Sequence, residues 1–192
     1  MPLRPYFACN SLLYLFDDDM PEKLQAAIRD VPDFPQPGIL FKDITPILAD
    51  PELLQASISE ISATLPHQNI DKVVGIDARG FIFAPTIALQ KGAGFVPVRK
   101  KGKLPWKTKS QSYSLEYGEN VIEIHEDAVQ PGDKVMLVDD LLATGGTAGA
   151  AVKLLKALGA DVVCVSFLIE LSALNGRDAI ECDNIHSILQ YS

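Results

Sequence analysis

The sequence predicts an α/β fold, a mostly parallel, twisted sheet flanked by helices on both faces. Three observations carry this expectation. Short β-branched or apolar runs recur at residues 72–77 (KVVGID), 95–99 (FVPVR), 135–138 (VMLV) and 162–168. Helical stretches separate them at 81–91 (FIFAPTIALQK) and 148–158, ended by Gly92 and Gly159. The run at 135–138 is apolar throughout, which suits a strand covered on two faces. In such sheets ligands sit at the carboxyl ends of the strands, near the point where the strand order reverses.

The remaining elements follow in chain order. Residues 1–19 (MPLRPYFACNSLLYLFDDD) hold one basic residue and a short apolar patch at 12–16, and end in three aspartates. A secretory signal needs a basic start, a longer apolar stretch and a small-residue cleavage site. Residues 1–20 are therefore expected to be a leader, disordered or artificially appended, with Met20 a candidate natural start. Residues 21–192 are expected to form one domain. The stretch 22–30 (EKLQAAIRD) reads as a helix. The prolines and glycine of VPDFPQPGILF make an extended, turning loop. Leu54, Ile58, Ile61 and Leu65 place one apolar face on a helix over 51–65, with Pro51 near its start. Residues 100–120 show weak periodicity and read as a long loop or hairpin. Ile122 and Ile124, alternating with Glu123 and His125, suggest a half-exposed strand. Residues 130–133 (QPGD) form a turn.

Composition narrows the function classes. The 192 residues carry 17 basic and 25 acidic side chains, a net charge of −8, which excludes a globally basic nucleic-acid binder. With 47% hydrophobic and 22% charged residues the chain is not disordered. Cys9, Cys164 and Cys182 are widely spaced, so neither a disulfide framework nor a structural zinc site is indicated, and a reducing cytoplasm fits. No apolar run approaches the ~20 residues of a membrane span. The expected partners are small molecules, with neither nucleic acid nor membrane.

The segment that carries chemistry is 135–147, VMLVDDLLATGGT. An apolar strand ends in Asp139 and Asp140, and a loop of Ala143, Thr144, Gly145, Gly146 and Thr147 opens a helix. Glycines let the backbone turn sharply and approach a ligand. Free N–H groups and the helix dipole attract a phosphate, and the threonine hydroxyls add donors. Two carboxylates accept hydrogen bonds from neighbouring sugar hydroxyls. The pattern reads as a ribose 5-phosphate clamp. The alternative is a tight strand-to-helix turn with solvated aspartates. Neither the GxxxxGK[ST] loop nor the GxGxxG fingerprint is present.

This segment resembles the phosphoribosyl-pyrophosphate (PRPP) signature of type I phosphoribosyltransferases. The segments 33–44 (DFPQPGILFKDI), 75–83 (GIDARGFIF) and 112–118 (SYSLEYG), in this order, resemble the adenine phosphoribosyltransferase branch of that family from about residue 21 to 191. The resemblance implies the type I phosphoribosyltransferase fold with a flexible lid, and transfer to adenine, giving AMP and pyrophosphate in purine salvage. It assigns Asp139 and Asp140 to the ribose hydroxyls and residues 143–147 to the 5-phosphate. Leu40, through its main chain, and Lys42 fall in the adenine segment; many relatives have arginine at Lys42, whose planar bidentate group lysine lacks. The resemblance also implies Mg²⁺ bridging pyrophosphate and ribose oxygens, with no side chain assigned as a direct ligand, and a homodimer.

Arg79 follows the strand 72–77 and suits pyrophosphate, because a guanidinium binds two oxygens at once. Its alternative is a surface ion pair with Asp77. Residues 99–109 (RKKGKLPWKTK) hold six basic residues and no acid. A charge run is usually a solvated face; beside a lid it can steer a polyanion despite the net negative charge. Arg99, Lys100 and Lys103 are the pyrophosphate candidates here, some from a neighbouring subunit. Glu116, between Tyr113 and Tyr117, takes the catalytic role that the resemblance implies, exchanging a proton with the purine; the alternative is an exposed strand carboxylate. His67, His125 and His186 share no motif, and His125 is expected to face solvent.

Overall fold

A computed structural model describes residues 19–65, 69–114 and 119–192. Residues 1–18 of the expected leader, His67 and Glu116 lie outside the described residues. The chain divides into two compact units, Met1–Leu53 and Leu54–Ser192, with the division inside one helix.

In the first unit, helix α1 (Met20–Ala27) precedes an antiparallel pair, β1 (Arg29–Pro32) and β2 (Leu40–Asp43). The helix expected over 22–30 thus stops early. Arg29 and Asp30 are drawn into β1, where they pair across the ladder with Asp43 and Lys42. Charge supports that register: Lys42 Nζ lies 2.6 Å from Asp30 and Arg29 lies 3.8 Å from Asp43. The proline-rich segment is the connection of this hairpin, closed by the Gly38 N–H donating to the Asp33 carboxylate at 2.8 Å. A short helix α2 (Thr45–Ala49), absent from the sequence reading, precedes α3 (Pro51–Ala63). Asp50 caps α3 by accepting from the N–H groups of Glu52 and Leu53.

The second unit is built on one seven-stranded sheet. Its strands are β3 (Lys72–Ile76), β4 (Gly94–Lys100), β5 (Thr108–Ser114), β6 (Glu119–His125), β7 (Lys134–Leu142), β8 (Asp161–Leu171) and β9 (Ile185–Tyr191), in spatial order β5-β6-β4-β3-β7-β8-β9. The five strands from β4 to β9 pair in parallel, and the hairpin β5–β6 adds antiparallel to one edge. Helix α4 (Gly80–Lys91) links β3 to β4, and α5 (Gly146–Ala157) links β7 to β8. The two crossovers run to opposite sides of the β3–β7 pair, so the strand order reverses there.

Strand residues point alternately to the two faces. Val74, Ile76, Leu137, Val165 and Phe167 form the core that α5 covers, with Ala151, Leu154 and Leu155 from the helix. Val73, Met136, Val138 and Leu168, one position out of phase, are equally buried. Of the apolar face expected on a helix over 51–65, Ile58 and Ile61 are buried on α3 and Leu54 is half-buried; the helix ends at Ala63, so Leu65 is buried just beyond it.

The structure refines the sequence expectations at several points. Of the two readings of residues 100–120, the structure shows the hairpin: β5 pairs along its length with β6, from Thr108 opposite His125 to Ser114 opposite Glu119. Glu123 is buried, its carboxylate accepting the Gly102 N–H at 2.9 Å, and His125 is half-buried with Nε2 3.4 Å from the Trp106 nitrogen. Strand β7 runs past the acid pair to Leu142. Strand β9 and the two short 3₁₀ turns before it have no counterpart in the sequence reading.

Phe167 lies in the middle of β8 and is fully buried in the main core. Phe167→Ala is expected to lower unfolding stability by about 3–5 kcal/mol, read as a shift of the denaturant midpoint with an unchanged slope.

Candidate functional site

At the carboxyl ends of β3 and β7, where the strand order reverses, lies a cavity of about 310 Å³. It is lined by the 77–79 turn after β3, Lys100 at the end of β4, the hairpin pair Tyr113 and Asn120, and the run from Asp139 to Ala148, which joins the end of β7 to the start of α5. The acids and glycines singled out in the sequence thus share one concave surface with Arg79 and Lys100.

The turn after β3 reaches the acids because residue 80 is glycine. A Cβ there would stand 2.8 Å from the Val138 carbonyl oxygen and 3.0 Å from an Asp139 carboxylate oxygen. Helix α4 can therefore begin against β7, which brings Arg79 beside the acid pair. Arg79 Nε lies 2.7 Å from Asp140 Oδ2. Asp77, the partner considered for Arg79 from the sequence, instead accepts from Arg99 Nε at 3.0 Å. The Asp77–Ala78 peptide is cis.

The two carboxylates experience the site differently. Burial pushes the Asp139 carboxyl well above the usual carboxylate range, and the neighbouring Asp140 charge raises it further. Burial also raises Asp140, while the Arg79 guanidinium offsets part of that shift. The Asp140 N–H donates to Asp139 Oδ1 at 2.9 Å. Neither acid is a freely solvated turn residue, so that alternative reading of the motif fails.

Beyond the acids the chain turns through residues 143–147 into α5. Gly145 adopts φ 76°, the left-handed region that glycine reaches without strain. The first residues of α5, Gly146 to Ala148, line the cavity together with Thr144 and Gly145. This is an anion-binding arrangement of the kind found at helix N-termini.

Not every expected residue lines the cavity. Arg99 spans Asp77 and the Lys103 carbonyl, with its guanidinium 5.9 Å from the Phe81 ring centre. Lys103 is exposed and outside the lining. In the first unit Leu40 is exposed on β2, while Lys42 has only 10% of its side chain accessible, against Asp30. The sequence pattern does not single out Tyr113 and Asn120, which also line the cavity. Their role depends on the β5–β6 register, which places them directly opposite each other and which no local pattern reveals.

Among the described residues no group of three or more His, Cys, Asp or Glu side chains could cage a metal. Mg²⁺ does not require such a cage. It is usually bound by one or two carboxylates, substrate phosphates and water, and the Asp139–Asp140 pair is compatible with that donor set.

Residues 44–190 match the phosphoribosyl transferase domain family. The chain is 54% identical over 172 residues to the adenine phosphoribosyltransferase of Acidothermus cellulolyticus, covering 90% of this chain and 97% of that one. The crystal structure of the Rhodothermus marinus adenine phosphoribosyltransferase superposes with a TM-score of 0.87 at 51% identity, covering 91% of this chain and all of the other. The Saccharomyces cerevisiae enzyme, complexed with an imino-altritol bisphosphate and adenine, gives a TM-score of 0.84 at 39% identity, covering 89% of this chain and 99% of that one. With the acid pair, the glycine turn and the switch-point cavity all in place, the chain belongs to the phosphoribosyltransferase family, in its adenine phosphoribosyltransferase branch.

Proposed function

We propose that the protein transfers the phosphoribosyl group of PRPP to adenine, giving AMP and pyrophosphate. One observation carries the sugar-phosphate half: a single cavity joins an acid pair, a helix N-terminus with a glycine turn, and two cations. The adenine half rests on the family branch, whose yeast member has been crystallised with adenine.

Each group has a task in this reading. Asp139 and Asp140 accept from the two ribose hydroxyls, whose donors replace the water lost on burial. Residues 143–147 and the start of α5 hold the 5-phosphate. Arg79 and Lys100 face the pyrophosphate, and Arg99 and Lys103 add positive charge around it. When bound, Mg²⁺ supplies charge neutralisation on the pyrophosphate and ribose oxygens.

Bond cleavage at the anomeric carbon develops positive charge on the sugar while pyrophosphate departs. The fixed cations lower the energy of that separation. Leu40 and Lys42 are assigned to the adenine and Glu116 to the proton exchange with the purine. Closure of residues 103–118 would keep water from the reactive sugar.

A cytoplasmic homodimer belongs to this reading. Ile82 and Leu89, two turns apart on α4, are exposed, as is Phe95, which supports an apolar contact surface. Among the described residues no helix is long and apolar enough to cross a membrane.

Offered PRPP and Mg²⁺ with each nucleobase in turn, the protein is expected to release pyrophosphate fastest with adenine; a preference for hypoxanthine, xanthine or orotate would refute the base assignment. Asp139→Asn combined with Asp140→Asn is expected to lower kcat/KM for PRPP by about 10²- to 10⁴-fold, since two hydrogen bonds to charged acceptors are weakened.

The same acids carry a stability signature. Their raised native values mean that the folded chain holds protons the unfolded chain has released, so stability falls as pH rises from the ordinary value of 3.8 through the native ones. Asp139→Asn is therefore expected to melt higher than wild type near neutral pH, with the gap narrowing toward about pH 4. A lower melting temperature near neutral pH contradicts this account.

A further inference from the structure

The 143–147 turn does not stand alone. It lies backbone-to-backbone against a distant segment made of two 3₁₀ turns, Ser172–Leu174 and Gly176–Ala179. A Cβ at Gly145 would fall on the Gly176 carbonyl, and one at Gly149 on the Ala179 carbonyl. In return, a Cβ at Gly176 would fall on the Ala143 carbonyl and stand 3.0 Å from the Gly145 nitrogen. Contact this close on both sides leaves the turn little freedom unless the supporting segment itself moves.

Apolar packing holds that segment at its end, through the buried Ile180 that follows it, while residues 173–175 are exposed. Leu174 is exposed and Asn175 adopts φ 51°. The strong tether is Arg177. Its Nε and Nη2 donate to the two carboxylate oxygens of Glu170 at 2.9 and 2.6 Å, and its Nη1 donates to the Ile185 carbonyl at 2.9 Å. Glu170 is buried on β8, and Ile185 opens β9. The Arg177 guanidinium holds the Glu170 carboxyl below the usual carboxylate range. One planar group thus ties the supporting segment to two parallel strands of the sheet. Arg177 does not line the cavity.

We propose that Arg177, clamped by Glu170, is a positioning residue for the 5-phosphate of the substrate. It fixes the 172–179 segment, which in turn seats the 143–147 backbone with its N–H groups aimed at the phosphate. This inference rests on reading residues 143–147 as the 5-phosphate loop.

The test uses the full chain carrying Arg177→Met, Arg177→Lys or Glu170→Gln, with Thr147→Ala as a check on the loop itself. KM for PRPP and for adenine, ribose 5-phosphate affinity by calorimetry, and melting temperature are measured for each. Arg177→Met is expected to raise KM for PRPP and weaken ribose 5-phosphate about 10- to 100-fold, the scale of losses from a misplaced binding group, while KM for adenine stays within about twofold. Arg177→Lys, which keeps the charge but not the fork, is expected to recover part of the loss. Should Arg177→Met fail to fold, Glu170→Gln is read by the same criteria.

A folded variant with a lower melting temperature but unchanged PRPP and ribose 5-phosphate constants overturns the proposal, as does an equal rise in both KM values. If Thr147→Ala weakens ribose 5-phosphate and the Arg177 and Glu170 variants do not, the bracing role fails while the loop assignment stands. If Thr147→Ala also leaves ribose 5-phosphate binding unchanged, the loop assignment itself fails.

Discussion

Two neighbouring carboxylates at the end of a buried strand set the terms for the rest of the site. Burial disfavours the charged forms of Asp139 and Asp140, and the charge of Asp140 raises Asp139 further. The fold partly compensates by bringing the Arg79 guanidinium onto Asp140. That contact requires α4 to start close against β7, which the missing side chain at Gly80 permits. The reversal of strand order between β3 and β7 then leaves the acids facing a cavity rather than a covering helix. In the proposed reading the ribose hydroxyls would relieve the remaining desolvation of this pair.

The 143–147 turn, proposed to hold the 5-phosphate, follows a different logic. Beside the threonine hydroxyls, the donors it offers are backbone groups, which cannot be re-aimed by choosing another rotamer. Their direction is set by where the chain is allowed to lie. Gly145, Gly149 and Gly176 let two backbone segments meet without intervening side chains, and the Arg177–Glu170 pair anchors the outer one to the sheet. Rigidity of this kind suits a group that must be held still while the bond at the other end of the sugar breaks.

Charge is arranged against the overall balance. The chain carries −8, yet Arg79 and Lys100 stand at the cavity. Arg99 behaves otherwise than its place in a basic run suggests. Its side chain is committed to Asp77, the Lys103 carbonyl and the Phe81 ring, so it shapes the turn after β3 as well as adding charge. A count of basic residues cannot separate a lysine at the cavity from an arginine that braces a loop. Their partners do.

What the sequence determined by itself is local. The apolar runs at 72–77 and 135–138, the glycine stops at Gly92 and Gly159, and the acid pair followed by a glycine turn each follow from neighbours within a few residues, where periodicity and turn chemistry act. They sufficed for the parallel sheet, for the location of the cavity and for most of its lining. Only the tertiary structure decided which distant groups meet: Arg79 with Asp140, Asp77 with Arg99, Tyr113 opposite Asn120, and Gly176 against the 143–147 turn. Strand β9 went unread for the same reason, since its seven residues are largely half-buried and take their place from pairing with β8. Pairings of this kind depend on register and on close approach between segments far apart in the chain, and no pattern of adjacent residues encodes either.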